Sequence, residues 1–260
     1  MHKKAGHTKI FPGLFKNPEH GKPSLFLHGD KQTQITEQVQ AFAELVEARQ
    51  GMGKLKEIFA IIKAVDKRTG PYALPKHTNT AEQILVEGRI TGCTDCAIAF
   101  ATLARATGLP AIIVDSAKKE WIEKGAPADL VEGHFFVEVF VDGKWLLVDS
   151  AKGILYDNYK PKNKNLPEGY IAFAKAASVF DMGLTGDKGH NKLQRDAFMN
   201  NRVKYENPKY VRRDLNDKII FDVMRKKVLW ARAAIFSAAQ SHPVRSPQNS
   251  AQTKHKKLSR

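Results

Sequence analysis

Gly92-Cys-Thr-Asp-Cys-Ala-Ile-Ala-Phe-Ala-Thr-Leu-Ala-Arg-Ala-Thr-Gly-Leu-Pro-Ala111 is the stretch on which the reading of the chain turns. Its alanines favour a helix, and Gly108 followed by Pro110 supplies the stop. Cys93 therefore falls in the first helical turn. Unpaired N–H groups and the positive end of the helix dipole favour a thiolate there, which makes such a cysteine a better nucleophile than a free one. A nucleophile of this kind needs a base, and the base needs a group to orient it.

Working outward, the clearest β signal lies downstream. His134-Phe-Phe-Val-Glu-Val-Phe-Val141 and Lys144-Trp-Leu-Leu-Val-Asp149 flank Asp142-Gly143, a pair that favours a type I′ hairpin turn. With a two-residue loop, Val141 faces Lys144 and Phe136 faces Asp149. His134 lies two residues from Phe136 on the same face, so it is the diagonal neighbour of Asp149, about 7–8 Å away along the backbone. Two side chains leaning together can close that gap. A three-residue turn with a bulge would reverse the parity. Cys93, His134 and Asp149 are thus the candidate catalytic residues. The cysteine would attack a carbonyl, the histidine would move the proton and the aspartate would hold the imidazole. The backbone N–H of Cys93 is a natural donor to the resulting oxyanion.

The remaining elements frame that pair. Residues 1–32 read as an extended arm. The positions Ile35, Val39, Phe42 and Val46 predict a helix from Thr33 to about Gln50, ended by Gly51 and Gly53, and a second helix runs from Lys54 to Arg68. Thr80-Ala-Glu-Gln83 has the form of a capping box ahead of a short helix that stops at Gly88. Ala111–Asp115 reads as a buried strand, and Ala117–Lys124 as a short helix or lid anchored by Trp121. Gly169–Ala176 is compatible with helix or strand. A mostly helical extension follows, its last helix starting near Asn216 with Ile220, Val223, Met224, Ala231 and Ile235 on one side. The organisation expected is an arm over 1–32, a core with leading helices over 33–185, a helical extension over 186–240 and a tail over 241–260.

Composition bounds the function classes. The 42 Lys and Arg against 27 Asp and Glu give a net charge of +15, but the tail carries Arg245, Lys254, Lys256, Lys257 and Arg260 without an acid. It reads as a disordered segment that solubilises or weakly attracts polyanions. No apolar run approaches the length of a transmembrane helix, and Met1–Phe15 lacks the apolar region of a secretory signal. With only two cysteines, a cytoplasmic, reducing setting is expected.

The Gly92–Ala111 stretch, the Gly133–Ser150 hairpin, and their order and spacing resemble the core of the transglutaminase-like superfamily, which is related to papain-like cysteine proteases. The resemblance implies an α+β fold with the cysteine helix packed on an antiparallel sheet. It also implies Cys93 as nucleophile, His134 as general base and Asp149 as orienting acid, with no metal or organic cofactor and a peptide or protein amide as substrate. The chain departs from the pattern at Ser150, where proline is frequent, and at Cys96, usually aromatic. Its three tryptophans, Trp121, Trp145 and Trp230, all lie after the cysteine, whereas cross-linking members place one before it. Two other chemistries fit parts of the pattern. Cys93-Thr-Asp-Cys96 has the form of a thiol-disulfide pair, although the preceding segment makes a poor buried strand. A zinc site would want a second closely spaced pair of ligands. A binding module that keeps the scaffold without catalysis is the further alternative. Glu138 shares the face of His134 but sits farther from the sheet end and reads as structural.

Overall fold

A computed structural model describes residues 20–48, 50–65, 78–124, 132–184 and 208–241. Residues 1–19 of the expected arm, the end of the second expected helix, residues 186–207 of the expected extension and residues 242–260 of the expected tail lie outside the described residues.

Six strands form one sheet: β1 (Ala111–Lys118), β2 (Gly133–Val141), β3 (Lys144–Asp149), β4 (Ile154–Tyr156), β5 (Tyr170–Ala176) and β6 (Arg212–Asp214). They lie in the order β5-β1-β2-β3-β4-β6, and every neighbouring pair is antiparallel. The open Gly169–Ala176 segment is therefore a strand at one edge. The other edge strand comes from beyond residue 208, within the part of the chain expected to be helical.

The pleat sorts the residues of β2 into two environments. Phe135, Val137, Val139 and Val141 join the main core with the helices. Phe136 joins Val114, Leu147, Tyr156, Tyr159, Leu166 and Ala172 in a second apolar cluster. The helices are α1 (Glu37–Ala43), α2 (Gly51–Val65), α3 (Cys93–Ala106), α4 (Lys119–Glu123) and α5 (Lys218–Ser241). No described helix is long and apolar enough to cross a membrane. This arrangement is α+β, with the cysteine helix α3 against the sheet.

Helix α3 has 14 residues, a length that is marginal in isolation. Tertiary burial holds it: Ile98, Phe100 and Leu103 are fully buried, each contributing about 1.5–3 kcal/mol. The buried alanines between them let the helix approach β1 and β2 closely.

The long helix expected from Thr33 to Gln50 is corrected by the structure to the seven-residue α1. Thr36 caps its start by accepting from the Val39 amide at 3.3 Å. Farther on, the amides of Glu47 and Ala48 donate to Glu57 Oε2, each at 2.8 Å, instead of to helical carbonyls. Gly51 opens α2 rather than closing the helix before it, and Gly53 lies inside α2. The capping box is present: the Thr80 amide donates to Gln83 Oε1 at 2.9 Å, and the Gln83 amide donates to Thr80 Oγ1 at 3.3 Å. On α5, Met224 and Val228 are buried, whereas Val223 turns outward.

The Glu138 carboxylate is fully buried and compensated. Lys175 Nζ lies 2.5 Å from one oxygen and His20 Nε2 lies 2.8 Å from the other, while the Tyr159 hydroxyl also donates to it. The His20 carbonyl accepts from Trp145 Nε1 at 3.1 Å, so the end of the arm is pinned to the hairpin.

Gly153 ties the turn after β3 to the segment before α5. Its amide donates to the Asp149 carbonyl and its carbonyl accepts from the Leu215 amide, both at 2.8 Å. It has φ 71°, and a Cβ there would stand 2.5 Å from Phe59 Cζ and 2.9 Å from Asn216 Nδ2. Gly153→Ala should therefore lose about 2 kcal/mol in a denaturant melt, from left-handed strain together with overpacking. A neutral substitution would contradict this packing.

Candidate active site

The hairpin turn puts Asp142 at φ 49° and Gly143 at φ 80°, as a two-residue type I′ loop requires. Val141 pairs with Lys144 and Val137 with Val148, so the next position sets Phe136 opposite Asp149. His134 then shares a face with Asp149 across the end of β2, and the two side chains meet: His134 Nε2 lies 3.0 Å from Asp149 Oδ2. Both atoms are buried, so the contact is a close ion-pair approach shielded from solvent.

Cys93 stands at the first position of α3, half-buried, close enough for its sulfur to act on the charge of the same imidazole. The structure thus brings Cys93, His134 and Asp149 together. Cys96 is 4% exposed and packs in the main core, and neither cysteine is in a disulfide.

The loop ahead of Cys93 is braced by a residue that motif reading passed over. Asp95 is buried in the first turn of α3, and its Oδ2 accepts from the Thr91 amide and hydroxyl at 2.7 Å each and from Asn79 Nδ2 at 3.1 Å. Burial pushes its carboxyl up, partly offset by the Thr91 and Asn79 hydrogen bonds. An acid three residues after the N-cap position of Gly92 is the local signal that points to such a brace.

Aromatic rings fix the imidazole laterally. Phe136 meets it edge-on at 4.8 Å and Tyr170 lies at 5.3 Å, with Lys118 Nζ 4.3 Å from the Tyr170 ring. On the far side of Asp149, the Lys152 amide donates to Oδ1 at 3.1 Å and the Lys152 ammonium stands 3.6 Å from Oδ2. Tyr170, Lys152 and Glu168 carry no motif signal, because they reach the site from the strand edge and the loops after β3.

Burial by itself would pull His134 down, but Asp149 and the Cys93 sulfur outweigh it and push the imidazole up to about 9. Burial opposes the Asp149 charge as well. Contacts to His134 and to the Lys152 amide and ammonium prevail and hold that carboxyl below the usual range. These are favourable conditions for an imidazolium-carboxylate pair.

Residues 31–150 match the family model described as the transglutaminase-like superfamily. Over those residues the chain is similar to that superfamily. The match supports a cysteine hydrolase or acyltransferase kind of protein. Among solved structures, the chain is similar to a candidate cysteine protease from Cytophaga hutchinsonii, with 18% identity and a TM-score of 0.43. The similarity covers 62% of this chain and 49% of that one, so the chain spans about half the length of that structure. No curated protein matches.

The sign of the pH dependence follows from the shift of the His134 imidazole. The folded imidazole titrates above the unfolded value of 6.5, so its stabilising contribution is complete below pH 6.5 and is lost as pH rises to about 9. The stability difference between the natural protein and His134→Asn, measured by urea unfolding, should be larger at pH 6 than at pH 9.5. A pH-independent difference would contradict the charged pair.

Proposed function

We propose that the protein is a cysteine-dependent hydrolase or acyltransferase that acts on amide or peptide bonds. Cys93 is the nucleophile, His134 the general base and acid, and Asp149 the residue that orients the imidazole. The observation that supports this reading is the 3.0 Å approach of the Asp149 carboxylate to the buried His134 imidazole, with Cys93 at the start of α3 acting on the same ring.

In the first step His134 takes the proton of the Cys93 thiol, the sulfur forms a bond to the substrate carbonyl carbon, and the carbonyl π electrons move onto oxygen. The Cys93 amide, in the first turn of α3 where helical amides lack intrahelical partners, would donate to that oxyanion. Collapse breaks the C–N bond, and His134 gives its proton to the departing amine, leaving a thioester on Cys93. His134 then removes a proton from water or from an acceptor amine as it attacks the thioester, and the thiol is regenerated. The Asp149 carboxylate stays ionised throughout and stabilises the imidazolium.

The thiol-disulfide alternative leaves the His134–Asp149 pair without a role. The two sulfurs also make the test selective. Iodoacetamide at neutral pH should label Cys93 stoichiometrically and faster than a free thiol, leaving Cys96 unmodified, as read by peptide mass mapping. His134→Ala should slow that labelling at least tenfold. Labelling of Cys93 no faster than a model thiol, or unaffected by His134→Ala, would remove the activated nucleophile.

A further inference from the structure

Glu168 sits beside the candidate site with φ 57° and ψ 31°, a left-handed conformation that is unfavourable for a residue with a side chain and persists where the surroundings hold it. Three groups do so. Lys118 Nζ donates to its carbonyl at 2.5 Å, Lys152 Nζ to its Oε2 at 2.5 Å, and the Tyr156 hydroxyl to its Oε1 at 3.3 Å. Lys152 also stands 3.6 Å from Asp149 Oδ2, the oxygen that faces His134 at 3.0 Å. Four groups of alternating charge thus stand in a row: His134, Asp149, Lys152 and Glu168.

The distances rank the contacts. At 2.5 Å the ammonium is committed to Glu168, and at 3.6 Å it is too far from Asp149 for a hydrogen bond while still acting on its charge. We propose that Glu168 is a positioning residue that acts through Lys152: it keeps the ammonium off Asp149 and so sets how strongly that carboxylate holds the His134 ring. The inference rests on the reading of Asp149 as the group that orients His134.

Other groups face the row. Cys93 and Tyr170 lie against His134, the Lys152 amide holds Asp149 Oδ1, and Tyr156 and Lys118 hold Glu168. Glu120 of α4 lies beside Gly169.

The two ends of the Lys152–Glu168 pair have opposite effects under this arrangement. Without the Glu168 charge, Lys152 closes on Asp149 and draws Oδ2 from the ring. Without the Lys152 charge, Asp149 belongs to His134 alone. The test is an NMR titration of the His134 ring in the full chain. Lys152→Gln should move the midpoint to higher pH by about half a unit, and Glu168→Gln should move it lower by a similar amount. In the Lys152→Gln background, Glu168→Gln should have little further effect, because the tether needs the ammonium. Lys152→Arg should stay near the natural midpoint. Shifts in the same direction from both single variants would mark an ordinary structural ion pair, and additive shifts would mark two independent fields; either overturns the tether. Iodoacetamide labelling of Cys93 in the same samples separates the two claims. Rapid labelling without the shift pattern removes the tether alone, and the shift pattern without rapid labelling removes the nucleophile alone.

Discussion

The candidate site depends on one constraint, the two-residue turn at Asp142-Gly143. Side chains alternate across a sheet with a period of two, so a slip of one residue in the pairing of β2 and β3 would carry His134 or Asp149 to the opposite face. Both turn residues take the left-handed region, which suits the twist of the flanking strands and permits no extra residue. From that turn the pairing runs back to Val137 and Val148, and the 3.0 Å approach of His134 to Asp149 follows at the sheet end.

A second constraint sets the cysteine against this pair. Helix α3 presents small and apolar residues to β1 and β2, and its first turn is braced by Asp95 bonded to Thr91 and Asn79. At the other end, Arg105 donates to the carbonyls of Ala111 and Ala177 and to the Thr33 hydroxyl. Buried polar anchors at both ends fix a helix that apolar packing alone could let slide. Each is costly to break, because its partners would be left unsatisfied in the interior.

Much of this was legible in the sequence where the signal is local. The Asp142-Gly143 turn, the β run of His134–Val141, the Thr80–Gln83 box and the Gly108-Pro110 stop each act within a few residues, and the structure carries all four. Readings that require tertiary partners did not come through. The apolar spacing of Ile35 to Val46 continues helically in sequence, but Glu57 from the next helix captures the Glu47 and Ala48 amides and the helix stops at Ala43. Gly169–Ala176 was open between helix and strand because β1, which it pairs with, lies more than fifty residues away. Lys152, Glu168 and Tyr170 surround the candidate residues without any motif, since their approach is set by the loops beyond β3.

The central claim is a covalent one, that Cys93 takes an acyl group with the help of an imidazole held by Asp149. Intact-mass measurement of the full chain after incubation with peptide and amide libraries tests it directly. An added acyl mass should appear, map to Cys93, disappear in Cys93→Ser and accumulate less in Asp149→Asn. An adduct that forms equally without Cys93, or none with any amide while Cys93 remains freely alkylated, would contradict the account.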